Sequence, residues 1–384
     1  MVKKQRMKEI PLLPIIVHAI EKAPQRRITF ATFMELALYH PQWGYYQRER
    51  KKVGKDGDFY TSPFVGDIFG RVLADVMLDM QSQFITKSWG IVEFGGGDGR
   101  LAEQILDGLQ EKGEIADTFL YAMIEKSPYH QQLQQHRLQG RKNLHWVTDL
   151  RDLPRDRPWI VLSNELIDAF PVHRVRMERE GLRELYVTWN RQNQCLQEVL
   201  GPLSTEELSS ILKQEEIELQ IGQIAEINVA ARNWIYEVGR WLQKGFVLTI
   251  DYGYEAKELY RPERREGTLM CYSGHRAHNN PYRAPGEEDI TSHINFSGLQ
   301  LWGQEVGLIP LFFESQGTFL VRAGILQYLT ETKSTDPFSP EARRNRGIRQ
   351  LIYPGGMGDN FQVLIQAKGI ANPQLRILNQ PSWK

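Results

Sequence analysis

The chain has 384 residues, 41% hydrophobic and 24% charged, enough to bury one large core or two ordinary ones. Lysine plus arginine and aspartate plus glutamate both number 47, so the basic excess that drives nucleic-acid backbone binding is missing. Its two cysteines, Cys195 and Cys271, exclude a disulfide framework, lie in no metal-ligand spacing and suit a reducing compartment.

Lys3, Lys4, Arg6 and Lys8 precede an apolar run from Ile10 to Ile20 that superficially resembles a signal peptide. Pro11 and Pro14 interrupt it, Glu9 and Glu21 flank it, and no small-residue cleavage site follows. It reads as the lead-in to an amphipathic helix. No stretch reaches the ~20 apolar residues of a membrane span, and the expected location is cytoplasmic. Residues 1–84 read as an N-terminal helical segment carrying a lid loop. His40 to Tyr46 is a turn ending in an aromatic pair, and Val53 to Pro63, rich in Gly, Asp and Ser, is a loop. Ser62 can cap the next helix, with Pro63 at its first position. Val65, Ile68, Phe69, Val72, Leu73, Val76, Met77 and Met80 give that helix one buried face.

Short strands and helices then alternate. Gly90 to Phe94, Phe119 to Ile124, Leu144 to Val147, Trp159 to Ser163 and Phe246 to Ile250 read as five strands. Such alternation implies a parallel sheet covered by helices on both faces. Leu311 to Ala323 and Phe361 to Ala367 read as a closing pair, which makes seven strands in a doubly wound, Rossmann-like α/β core over residues 85–370. Insertions are expected at about 174–228, where Arg174 to Val199 looks like a β-meander, and at 328–356, a charged excursion; 371–384 is a tail. The basic run Arg343 to Arg349 is ordinarily a solvated helix face.

Glu93-Phe94-Gly95-Gly96-Gly97-Asp98-Gly99 follows a strand and opens a helix. Glycine lets a ligand approach the backbone, and the helix start presents free N–H groups. A dinucleotide site wants G-x-G-x-x-G. From Gly95 that pattern meets Arg100, and from Gly97 it meets Ala102, so an oxidoreductase is disfavoured but not excluded. Gly95, Gly97 and Gly99 spaced as GxGxG behind Glu93 suit S-adenosylmethionine, whose ammonium Glu93 can offset. Glu125, just after the second strand, is placed to accept from ribose hydroxyls. Asp149, past the third strand, is a candidate for the adenine amine.

Asn164, Glu165 and Asp168 emerge past the fourth strand, where such a sheet presents its acceptor substrate. The bland alternative for Asn164 is capping of the next turn. Tyr252 and Tyr254, after the fifth strand, can wall the reacting methyl. His275, Asp289 and His293 can be read as metal ligands, although three or four converging ligands are normally needed, and no metal is assigned. The hydrolase motifs GxSxG and HExxH are missing.

In this order the residues resemble the MidA-like methyltransferases. The resemblance rests on Gly44-Tyr45-Tyr46, Gly57-Asp58-Phe59 with Thr61-Ser62-Pro63, Glu93 with the glycine turn, and Glu125 with Ser127-Pro128. It continues through Asn164 to Pro171, Asp251 to Tyr254, His275, Pro285-Gly286-Glu287, Asp289, Thr291, His293, Gln316-Gly317 and Met357-Gly358. Gly96, Phe64 and Asn295 depart from the family pattern, which commonly has Pro, an acid and Asp there. The resemblance implies a seven-stranded class I fold dependent on S-adenosylmethionine and methyl transfer to an arginine of a partner protein. Mitochondrial family members serve respiratory complex I assembly, which makes a respiratory-complex subunit the candidate substrate. On that basis Glu165 and Asp168 are expected to orient a guanidinium, a carboxylate or His293 to take the released proton, and Asp58 to Pro63 to close over the cofactor, with Thr61 in contact. A small-molecule methyltransferase and a non-catalytic assembly factor that binds S-adenosylmethionine are the alternatives.

Overall fold

Strands covered on both faces become unbroken apolar runs, and Ile91-Val92, Tyr121-Ala122-Met123 and Ile160-Val161-Leu162 are all buried. They form the centre of the main sheet in a computed structural model that describes residues 10–50, 52, 58, 62–113, 119–331 and 336–379. The chain divides into two units. One is built from Tyr60–Leu166, Ile235–Tyr252 and Gln300–Lys384, the other from Met1–Phe59, Ile167–Trp234 and Gly253–Leu299.

The first unit holds β1 (Gly90–Phe94), β2 (Leu120–Ile124), β3 (Leu144–Val147), β4 (Trp159–Asn164), β5 (Gly245–Tyr254), β6 (Ile309–Ser315) and β7 (Phe361–Lys368). Their order is β6-β7-β5-β4-β1-β2-β3. β1 to β5 run parallel, and β7 runs antiparallel to both β5 and β6. Seven strands are expected from the sequence; the sheet has eight. β5 runs past Ile250 to Tyr254, and its last two residues, Gly253 and Tyr254, belong to the second unit and pair in parallel with Ile294 and Asn295. Five parallel strands point their carboxyl ends at one edge, so the residues that follow them collect there.

Helices α1 (Ile68–Gln81) and α2 (Arg100–Glu111) pack together beside the sheet, their apolar faces joined in one core with Ile91, Leu162, Leu248 and Ile365. Close approach comes from small residues: a Cβ on Gly70 would lie 2.3 Å from the Cβ of Gln104. The buried Gln104 amide donates to the carbonyls of Pro63 and Gly66 at 2.9 and 3.1 Å and accepts from Gly70 N at 3.3 Å.

Two local expectations change. Ser62 does not cap α1. It opens a separate turn of helix, Ser62–Val65, and its hydroxyl donates to Gln316 Oε1 at 3.0 Å, while Asp67 precedes α1 with its carboxylate bonded to Arg71. The strand expected to reach Ala323 ends at Ser315, whose hydroxyl accepts from Thr318 N and caps a helix, Gln316–Arg322. The charged stretch after it contains the helix Pro340–Ile352, capped by Ser339, with Ile348 and Leu351 buried in the core.

In the second unit three antiparallel strands, His173–Glu178, Gly181–Asn190 and Cys195–Gly201, form the expected meander. Ile224–Ile227 and Arg27–Thr29 complete a five-stranded sheet, so the N-terminal segment supplies a strand as well as the helices Leu13–Lys22 and Phe30–Tyr39. Ile16, Phe30, Phe33, Val172 and Val187 lie in this unit's core. Among the described residues no helix is long and apolar enough to cross a membrane.

Replacing Gln104 by leucine strands two carbonyls and an N–H with no change of bulk. Gln104→Leu is expected to lower unfolding stability by about 2 kcal/mol or more, read by chemical denaturation.

Candidate active site at the carboxyl edge of the main sheet

The turn after β1 needs its glycines first for their backbone conformation. Gly95, Gly97 and Gly99 all have left-handed φ, of 64, 53 and 80°. A Cβ on Gly95 would sit 2.7 Å from Leu166 Cδ1, and one on Gly99 would sit 3.2 Å from Gln134 Cα. A Cβ on Gly97 would meet nothing within 4 Å, so here the backbone faces open space. Neighbouring chain adds to the demand for glycine at 95 and 99, while at 97 the left-handed φ alone makes it and the space beside the backbone stays open.

Glu93, the last acid before the turn, is 2% exposed and accepts from Tyr121 Oη at 2.9 Å. Burial pushes its pKa up to about 7, against the hydrogen bond from Tyr121, and the nearby charges of Glu125 and Asp98 push the same way. Such a carboxylate gains from an arriving cation, which suits an ammonium.

Glu125 follows β2 directly. Ser127 N donates to its Oε1 at 2.8 Å, and Gln134 Nε2 to its Oε2 at 3.2 Å; His130 Nδ1 lies 4.0 Å away. Ser127 caps the helix Pro128–Arg137 that carries Gln134. The same Gln134 Nε2 donates to Gly97 O at 2.9 Å, and Gln134 Oε1 accepts from Trp146 Nε1 at 3.0 Å. Asp98 is braced by Arg137 at 2.8 Å. Asp149 lies past β3 and caps the short turn Leu150–Asp152. Its carboxylate is taken up by Arg151, which holds its pKa down at about 2. Thr61 lies outside the described residues.

Past β4 the backbone bends sharply. Glu165 has φ 52°, left-handed for a residue with a side chain, and its N–H donates to Ile250 O at 2.9 Å. The bend is held by Asp251, fully buried, whose Oδ2 accepts from Leu166 N at 3.1 Å and Oδ1 from Tyr252 N at 2.9 Å. Asn164 Nδ2 donates to Glu165 Oε1 at 3.3 Å, while Asn164 Oδ1 is buried without a partner. Backbone strain at Glu165 and an unpaired buried acceptor on Asn164 make this turn a candidate functional site. Leu166 from this turn is also the side chain that packs against Gly95. Tyr252 packs against Phe361, with ring centroids 4.0 Å apart and the rings tilted by 35°.

The sheet unit thus brings Glu93, the three glycines, Glu125, Asn164 and Glu165 to one edge. Gln134 and Asp251 complete the arrangement as the positioning groups that the sequence analysis missed. Asp251 belonged to a quoted motif, but nothing distinguished it from a surface acid. Gln134 sits in a helix of polar residues, where its total burial has no pattern to betray it.

Asp168 and His293 belong to the second unit. Asp168 is buried, and its carbonyl accepts from Ser292 N at 2.9 Å. His293 lies beside Tyr254, centroids 5.4 Å apart; burial lowers its pKa to about 4, and its Nδ1 is buried without a partner. Asp289 accepts from Tyr46 Oη at 2.9 Å, and burial raises its pKa to about 7. Asp58, from the loop expected to act as a lid, is buried and accepts from Tyr45 Oη at 2.8 Å and Gly274 N at 2.7 Å. The metal reading of His275, Asp289 and His293 fails: among the described residues no group of three or more His, Cys, Asp or Glu is placed to hold an ion. Asp289 is committed instead to Tyr46 and to its own strand, where Ile290 N donates to it.

Comparison with known proteins bears on the family and the cofactor. A family described as "Putative S-adenosyl-L-methionine-dependent methyltransferase" matches residues 68–313. The chain is similar to "Protein arginine methyltransferase NDUFAF7, mitochondrial" of Danio rerio, 27% identical over 361 residues, 87% of this chain and 82% of the relative. The Homo sapiens protein of that name is 26% identical over 385 residues, 92% of this chain and 83% of the relative. A Burkholderia thailandensis crystal structure with bound S-adenosyl-homocysteine superimposes with a TM-score of 0.87 at 29% identity, covering 97% of this chain and 95% of that one. These names overturn the cytoplasmic location expected from the sequence, since the curated relatives are mitochondrial proteins. Composition and the lack of an apolar span do not distinguish the cytosol from an organelle interior.

Glu93 has a consequence for stability. Between pH 4.5 and about 7 the folded chain keeps a proton on Glu93 that the unfolded chain has released. Its contribution is therefore present at low pH and lost as pH rises through about 7. Glu93→Gln should stabilise the ligand-free chain by about 1–3 kcal/mol at pH 8 and by much less at pH 4.5, measured by denaturant unfolding.

Proposed function

The chain belongs to the family of S-adenosyl-L-methionine-dependent methyltransferases, and from that premise we propose that it methylates an arginine side chain of a partner protein. The observation that carries this reading is Glu165, a carboxylate held in a strained turn on the same sheet edge as the cofactor turn. We read the main sheet as a class I methyltransferase sheet, its antiparallel β6 and β7 forming the closing pair.

S-adenosylmethionine, when bound, supplies a methyl on a sulfonium that is already electrophilic, so the protein's task is chiefly positioning. The residues fit it. Gly97 leaves room at the backbone, Glu93 offsets an ammonium, and Glu125 receives hydroxyl groups. Glu165 forms paired, charge-assisted hydrogen bonds with the incoming guanidinium, and the unpartnered Oδ1 of Asn164 accepts a further N–H. Fixed negative charge of this kind stabilises the cation through the transfer.

Asp168 and His293 are separate assignments in the second unit. Asp168 is a buried carboxylate of that unit and a candidate partner for a cation. His293, with a pKa of about 4, is a neutral imidazole at pH 7 and a weak base, which suits it to relay a proton to water rather than retain it.

The test uses tritium-labelled S-adenosylmethionine and protein extract from cells lacking this chain. Label should appear in protein and be recovered as methylarginine after hydrolysis. Glu165→Gln should bind the cofactor within about threefold of the unaltered chain and lose about 100-fold or more of the transfer. Label confined to small molecules would replace the protein acceptor with a small one. Intact cofactor binding with no transfer would favour a non-catalytic assembly role.

A further inference from the structure

Gln134 is the one fully buried side chain of the helix Pro128–Arg137, whose other residues are mostly polar and partly exposed. A core-facing helix position is ordinarily apolar, because a buried amide costs free energy unless its hydrogen bonds are made. Here they are made to groups at three successive strands. Gln134 Nε2 donates to Gly97 O in the turn after β1 and to Glu125 Oε2 after β2, and Oε1 accepts from Trp146 Nε1 on β3.

The direction of this network is fixed by Trp146. An indole N–H only donates, so it selects the oxygen end of the amide and turns the NH2 end toward Gly97 and Glu125. Both of those partners only accept, which makes the three bonds mutually consistent. The backbone of Gln134 also occupies the space that a side chain at Gly99 would need.

We propose that Gln134 is the positioning residue of the cofactor site, setting the Glu125 carboxylate and the Gly97 carbonyl at a fixed separation, with Trp146 fixing the polarity of its amide. This rests on the cofactor reading of that edge. Its specific content is that a donor is required at 134: an acceptor of the same shape breaks the site, and a proton restores it. The ionisable groups around it are Glu125, His130 with its Nδ1 4.0 Å from Glu125, Glu93 beyond them, and Arg137, which is tied to Asp98 and Glu103. These groups are common to every variant, so each variant is read as a ratio to the unaltered chain at the same pH.

The experiment is calorimetric titration of the full chain with S-adenosyl-homocysteine at pH 8.5 and 5.5, with folding checked by thermal melting. Gln134→Glu should bind about tenfold more weakly than the unaltered chain at the higher pH and regain most of that loss at the lower one. Gln134→Leu should be weak at both. Wild-type affinity in Gln134→Glu at pH 8.5, or an equal loss at both pH values, overturns the assignment. Trp146→Phe tests it without touching position 134. It should weaken binding a few-fold alone and add nothing to Gln134→Leu, whereas additive losses would overturn the assignment. Failure of the unaltered chain to bind at all is a different result, which brings down the cofactor reading itself.

Discussion

β1 lies hydrogen-bonded between β2 and β4, with Phe94 opposite Ile124 on one side and Ser163 on the other. Register matters here as much as pairing. Gly95, Glu125 and Asn164 follow the paired Phe94, Ile124 and Ser163, so they stand at the same height, with β4 one residue longer than its neighbours. Parallel direction sends all three chains out at one edge, and the next turn of each must be built within a few residues. The glycine φ values, the caps at Ser127 and Asp149, and the strained Glu165 are three local answers to that one demand.

The edge so formed is rich in acid. Glu93, Asp98, Glu125, Glu165 and Asp251 lie within or just past the strand ends, and they are held in distinct ways. Asp251 is spent on backbone amides and Asp98 on Arg137, while Glu93 is buried against a single tyrosine hydroxyl. Burial raises the Glu93 pKa to about 7, with the charges of Glu125 and Asp98 adding to the rise, so its ionised form is held at a cost. A cationic ligand relieves that tension. A phosphate would worsen it, which separates this edge from the dinucleotide sites that share its glycine-rich turn.

Much of this was legible in the amino-acid sequence. Apolar runs fixed five strands to within a few residues, and the Glu93–Gly99 segment declared both the turn and the charge beside it. Other features were hidden by their physics. The eighth strand is two residues long, too short for any period to register. Ser62 looked like a cap because it precedes proline, but a partner distant in sequence, Gln316, claims its hydroxyl. The strand expected through Ala323 stopped because Ser315 captures a backbone N–H three residues on, a local signal masked by the apolar run around it. Gln134 reaches Gly97 and Asp251 reaches Leu166, both distant in sequence, and no local pattern encodes such contacts. The location was misread because no bulk property carries it.

The main sheet is assembled from three separated stretches of chain. During synthesis β1 to β4 can pair as soon as they emerge, but the partner of β4 on its other edge, β5, begins only at Gly245, and β7 follows at Phe361. Until residues 165–244 have been made, the Trp159–Ser163 edge exposes unpaired amides and apolar side chains to whatever surrounds the nascent chain. The same wait then falls on β5, whose outer partner β7 begins only at Phe361, so the sheet grows by leaving one edge open at each stage. Slow translation across either interval would lengthen that exposure.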